Sequence, residues 1–200
     1  MDTIEAKKRL AKAVGPSGLF RLRDVSGIGI TGATAVELVA NGALERISRG
    51  LYSMRKRTYQ HESILELTMR RPGSLICLLS ALEMHSMTTQ IPKAVWFAIG
   101  NKDWKPIISY PPIHVVRFSE DSLRKGVEER TINGVTVRIT NPAKTVVDCF
   151  KYRNKIGMSV ALEALHDGWD QKKITIDEIW RYAKICRVSN VMRPYLESLR

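Results

Sequence analysis

The sequence predicts an α+β fold in two parts, a small N-terminal winged helix-turn-helix and a larger mixed α/β region. Three observations carry this. Residues 19–54 run in order through a basic segment, a glycine-punctuated turn, an apolar-striped helix and a short hairpin. Residues 94–140 gather β-branched and aromatic runs around Asn133-Gly134, the strongest short hairpin signal in the chain. Residues 142–200 return to helical periodicity, opened by Pro142 at a first helical position.

The first part opens with a helix over 3–14, whose Ile4, Leu10, Ala11 and Val14 are expected to pack beneath the later helices before Gly15-Pro16-Ser17-Gly18 stops it. A short basic helix is expected over 19–25, then a turn at Gly27 and Gly29. A second helix follows from Thr31, a good N-cap, to the stop at Asn41-Gly42. In it Ala35, Leu38 and Val39 make the apolar stripe, and Gly32, Thr34 and Glu37, with Thr31 and Ala33, face outward. Strands over 43–47 and 51–54 close around Ser48-Arg49-Gly50, where Gly50 supplies positive φ.

A boundary is expected near residues 55–59, giving parts 1–57 and 60–200. Beyond it the pattern predicts helices over 60–70 and 75–84, strands over 94–99, 107–109 and 114–118, and a hairpin of 127–132 with 135–140. Helices over 142–152, 156–169 and 176–186, and a short one after Pro194, complete the chain.

Charge points to a polyanionic partner. The chain carries net charge +12 over 200 residues, and residues 1–60 hold eleven Lys/Arg against five Asp/Glu. That first part has more than twice the charge density of the remainder, which suits double-stranded DNA. Thr31, Thr34 and Glu37 are the candidates to meet base edges. Arg21 and Arg23 before the second helix, and Arg46, Ser48, Arg49, Arg55, Lys56 and Arg57 after it, are the candidates for phosphates. The second helix holds no Arg or Lys, so readout there would rest on hydroxyls, thymine methyl contacts, Glu37 accepting from a cytosine amine, or DNA shape. The spacing Gly27-x-Gly29-x-x-Gly32 also fits a dinucleotide loop. Residues 21–26 are too charged for the buried strand such a loop requires, so the glycines are read as the turn between helices.

Cys77, Cys149 and Cys186 lie far apart among apolar neighbours and read as reduced core thiols, with no disulfide framework, metal site or cofactor. Neither a signal peptide nor a membrane span is expected, which suits the reducing cytoplasm. His61, His85, His114 and His166 are scattered, and no catalytic residue is assigned. Asp103-x-Lys105 matches the end of a nuclease signature, but its only near upstream carboxylate, Glu83, falls on an expected helix. Lys144 and Asp148 at i and i+4 share a helix face, as a surface ion pair or as a surface for DNA or a partner. Trp96, Trp104, Trp169 and Trp180 read as core or domain-interface residues.

The basic helix-turn-helix, the hairpin ending Arg49-Gly50-Leu51-Tyr52, and the later Pro142-x-Lys144-Thr145-x-x-Asp148 together resemble the AbiEi family of type IV antitoxins over nearly the whole chain. The resemblance implies a bacterial repressor and antitoxin, not an enzyme, whose N-terminal module binds operator DNA. It implies a C-terminal domain that counters a nucleotidyltransferase-like toxin without a stable complex, and it leaves the oligomeric state open, a monomer included. The chain departs from the family in having no basic residue on the second helix and Lys144 where Arg is commoner. Two rival readings stand beside it: a metal-dependent nuclease targeted by the N-terminal module, and an ordinary ligand-responsive transcription regulator.

Overall fold

The Asp2 carboxylate accepts the Ile4 amide at 3.4 Å and so caps helix α1 (Thr3–Ala13). In the computed structural model, which describes residues 2–14, 18–54 and 61–199, α1 opens the first of two units. The buried line along α1 is Ala6 and Leu10, continued by half-buried Val14, at i, i+4 and i+8. Ile4 and Ala11, expected in that face, are exposed.

The expected basic helix over 19–25 is instead a strand followed by turns. Strand β1 (Leu19–Arg21) leads into two 3-10 turns, Leu22–Asp24 and Ser26–Ile28, ended by Gly29 at φ +82°. Helix α2 (Gly32–Ala40) and strands β2 (Glu45–Ser48) and β3 (Leu51–Ser53) follow. β3 lies between β1 and β2, antiparallel to both, with Phe20 opposite Tyr52 and their rings stacked at 5.9 Å. Pairing overrides helical propensity here because β3 would otherwise leave one edge unbonded, and Leu22 and Met54 add amide bonds to the Gly50 and Gly18 carbonyls. The core of this unit joins Leu10, Phe20, Val25, Ile30, Leu38, Leu44 and Tyr52.

Helix α3 (Glu62–Arg70) packs against β1, so the first unit runs through Met1–Pro72 and also takes in Thr131–Thr136. The division therefore falls after Pro72 rather than near residue 57. The break in charge marks a change of surface, whereas the apolar face of α3 (Ile64, Leu65, Leu67) decides where packing ends.

The second unit is built on a five-stranded sheet. Its elements are β4 (Leu75–Ile76), α4 (Leu78–His85), β5 (Val95–Gly100), β6 (Ile113–Phe118), α5 (Glu120–Arg124), β7 (Val127–Ile132) and β8 (Val135–Thr140). Helices α6 (Pro142–Lys151), α7 (Arg153–Ile156), α8 (Met158–Asp170), α9 (Ile176–Cys186) and α10 (Ser189–Glu197) follow. Strand order is β6-β5-β4-β8-β7, with β5 parallel to β6 and antiparallel to β4, and β4 parallel to β8. α6 is buried from Ala143 to Phe150, with α4, α8 and α9 packed on it. Its first turn is set by Pro142 and by the Asn141 side chain, which accepts the Lys144 amide at 2.8 Å.

Four expectations shift here. The helix expected over 75–84 starts as the central strand β4 before α4 begins. Residues 107–109 form no strand. The helix expected over 156–169 is interrupted at Gly157 (φ +95°), and α10 starts ahead of Pro194 and carries it inside. No helix of the described residues is long and apolar enough to cross a membrane.

Candidate nucleic-acid interface

α2 sorts its side chains cleanly. Ala35 and Leu38 are buried, Val39 and Thr34 are half-buried, and Ala33, Val36, Glu37 and Ala40 are exposed at i, i+3, i+4 and i+7. Val36, 62% exposed, was passed over in the sequence reading although it falls opposite Ala35 and Leu38 in the same periodicity. The exposed stripe is thus three apolar side chains and one carboxylate, with no cation.

The polar candidates on α2 are already engaged. The Thr31 hydroxyl accepts the Thr34 amide at 3.2 Å as the N-cap, and the two hydroxyls lie 3.0 Å apart. Exposed Glu37 accepts the Thr3 hydroxyl at 3.1 Å, which ties it to the first turn of α1.

The cations flank this helix. Arg46 on β2 and Arg49 in the hairpin turn are exposed, and Gly50 turns the chain at φ +75°. Arg46 pairs with Tyr52 and Arg21 with Leu51, so the two arginines belong to opposite faces of the sheet. Arg21 is half-buried, and burial, helped by neighbouring Arg23, lowers its pKa from the usual arginine value. Arg23 is exposed and lies 3.5 Å from Asp24. Ser48 enters through its backbone in β2. Arg55, Lys56 and Arg57 lie outside the described residues. Gly27 sits in a 3-10 turn and Gly32 begins α2.

Lys144 and Asp148 require a correction. Both side chains are fully buried, and the Lys144 ammonium lies 2.6 Å from each Asp148 oxygen. They form neither a surface ion pair nor a surface for DNA or a partner. The i, i+4 spacing revealed the pair, but only the layers above it decided its burial. The ammonium lies 4.5 Å from the Phe118 ring centroid, and Cys186 from α9 donates its thiol to Asp148 at 3.5 Å. Burial opposes the charge on Lys144, but the adjacent carboxylate outweighs it and holds the ammonium above the usual lysine value.

The remaining candidates are dispersed. Cys77, Cys149 and Cys186 are free and buried, and burial pushes the Cys77 and Cys149 thiols up. Among the described residues no group of three or more His, Cys, Asp or Glu is arranged to hold a metal ion. Asp103 accepts the Gly100 amide at 2.8 Å. Trp96, Trp169 and Trp180 pack against the core of the second unit, whereas Trp104 is 92% exposed and is not the core or interface residue expected.

Residues 11–54 match the family model for the transcriptional regulator AbiEi antitoxin, from within α1 to just past β3. No curated protein matches the chain. The matched segment covers the end of α1, β1, α2 and the hairpin with its flanking arginines, and over that segment the chain is similar to the AbiEi antitoxin transcriptional regulators.

Proposed function

We propose that the chain represses its own operon by occupying operator DNA, with α2 in the major groove and the β2–β3 hairpin along the phosphates. Its second unit then counteracts a nucleotidyltransferase-like toxin encoded beside it, in the cytoplasm and without a stable complex. The observation that supports the DNA reading best is the exposed, cation-free stripe of α2 followed directly by exposed Arg46 and Arg49, inside the segment matched to AbiEi regulators.

Division of labour follows from the chemistry. Phosphate contacts from Arg46 and Arg49 supply affinity and register but no sequence information. Ala33, Val36 and Ala40 offer methyl groups to thymine, and Glu37, once it releases Thr3, can accept from a cytosine amine.

The test is binding to the promoter region across a salt series. Replacing Arg46 and Arg49 by Ala should weaken specific and random duplex alike and flatten the log-log salt slope by about 0.9 per lost contact. An unchanged slope removes the hairpin from the interface. For the antitoxin role, co-expression with the neighbouring toxin should restore growth, and failure of the intact chain to do so sinks that half of the proposal.

A further inference from the structure

The connection between β5 and β6, residues 101–112, carries chemistry that operator binding leaves unused. Trp104 is 92% exposed, Ile107 is wholly exposed, and exposed Lys102 and Lys105 flank the indole in sequence. A large aromatic kept in water forgoes burial that would stabilise the fold, which singles it out among the four tryptophans.

In the same unit lies a cleft of about 220 Å³ lined by Ile99, Lys105, Val115, Arg117, Tyr152 and Lys155, three cations and no carboxylate. Its walls are held in place. Arg117 Nη1 donates to the Gly100 and Asn101 carbonyls at 2.9 and 2.6 Å, which ties the start of the loop to β6. The Tyr152 hydroxyl donates to the Arg117 carbonyl, and the Lys155 ammonium lies 5.7 Å from the Tyr152 ring centroid. The one acid at the start of the loop, Asp103, is turned onto the Gly100 amide.

We propose that this loop and cleft bind single-stranded nucleic acid, with a backbone phosphate against Lys105, Arg117 and Lys155 and an unpaired base stacked on Trp104. A positive cleft whose Lys105 directly follows the bare indole of Trp104 along the chain matches the two halves of a nucleotide, anion and ring. A duplex buries its base faces in its own stack and shows only edges and phosphates, so an exposed indole gains nothing from it. Unpaired bases stack on such a platform whatever their sequence. The surface lies wholly within the second unit and does not depend on the operator reading.

The experiment uses the intact chain with two labelled probes, a short oligouridylate and a random DNA duplex. Trp104→Ala should weaken oligouridylate binding by about tenfold, the loss typical of one stacked base, and leave duplex binding within about twofold. Oligouridylate should quench tryptophan fluorescence in the parent and in the hairpin variant Arg46→Ala/Arg49→Ala, but not in Trp104→Ala. Lys105→Ala with Lys155→Ala should flatten the salt dependence on the single strand by about 0.7 per lost contact. Because Trp104 packs against nothing in the core, an unchanged unfolding curve for Trp104→Ala verifies that the fold is intact. Equal oligouridylate affinity for parent and Trp104→Ala, an equal loss on the duplex, or no single-strand binding by the parent overturns the proposal.

Discussion

The Lys144 ammonium and the Asp148 carboxylate meet at 2.6 Å through both oxygens, one helical turn apart on α6 and without solvent exposure. Each charge is tolerated only because the other is there, and removing one strands its partner in a low-dielectric core. Lys144→Ala or Asp148→Ala should each lower stability by about 3–5 kcal/mol, while Lys144→Met with Asp148→Leu should lose markedly less. Urea unfolding of the three variants is the check. A double variant as unstable as the sum of the singles would mean that the pair is not coupled.

Buried His85 should make stability fall as the solution is acidified. Its Nε2 faces the Thr140 carbonyl at 2.7 Å and must carry a hydrogen, and its Nδ1 faces Arg130 Nη2 at 2.9 Å and must accept one, so the ring is neutral. Burial is the main cause that depresses its pKa to about 4, and Arg130 and Lys173 add to it against the Thr140 carbonyl and Glu128. A depressed folded value means that the unfolded chain takes up the proton first. The stabilisation is complete above about 6.5 and is lost down to about 4, at about 1.4 kcal/mol per pH unit. His85→Gln should remove that slope, as read from unfolding free energies at several pH values. A parallel decline in both proteins would reject it.

Gly126 should be far less replaceable than Gly168. Gly126 sits at φ +71°, and a Cβ there would come within 2.8 Å of Lys144 Cβ and the Tyr182 ring. A Cβ at Gly168 meets the flexible ends of Met87 and Ile174 instead, at 2.8 and 3.0 Å. Gly126→Ala should cost about 2–4 kcal/mol from backbone strain and overpacking together, and Gly168→Ala about 1 kcal/mol. Thermal unfolding decides, and similar losses would mean that the contacts around Gly126 yield.

Val36 gives the proposed base-reading face its sharpest test. If its methyl groups meet a thymine, Val36→Ser should relax preference at one operator position by about 1–3 kcal/mol without changing the salt slope. Selection from a randomised operator library reads this directly. Should substitutions at Val36, Thr34 and Glu37 all leave the preference intact, recognition is through DNA shape.

Legibility varied with how local the cause was. The β7–β8 hairpin matches the expected bounds because Asn133 (φ +51°) and Gly134 (φ +82°) fix its turn by their own backbone preferences. α2 and α9 begin where Thr31 and Thr175 cap them, Thr175 through a full capping box with Glu178. β1 and β4 were misread because a strand of two or three residues has no periodicity of its own and is defined by its partner. Trp104 was misassigned for a related reason. Aromatic residues are buried by default, and its exposure follows from its place in a loop tied down near its ends, by Arg117 and Asp103 at the start and by the Pro112 carbonyl, which accepts the Val95 amide, at the finish.

By itself the sequence determined the α+β class, the helix and hairpin that carry the candidate DNA-contacting residues, the resemblance to AbiEi antitoxins, and the pairing of Lys144 with Asp148. Each rests on spacing, capping or turn chemistry that acts within a few residues. Only the tertiary structure decided that this pair is sealed inside the second unit, that α3 packs with the first, and that Arg21 and Arg46 leave opposite faces of one sheet. Those outcomes depend on which distant apolar surfaces come together, and burial is a property of the assembled layers that no local pattern encodes.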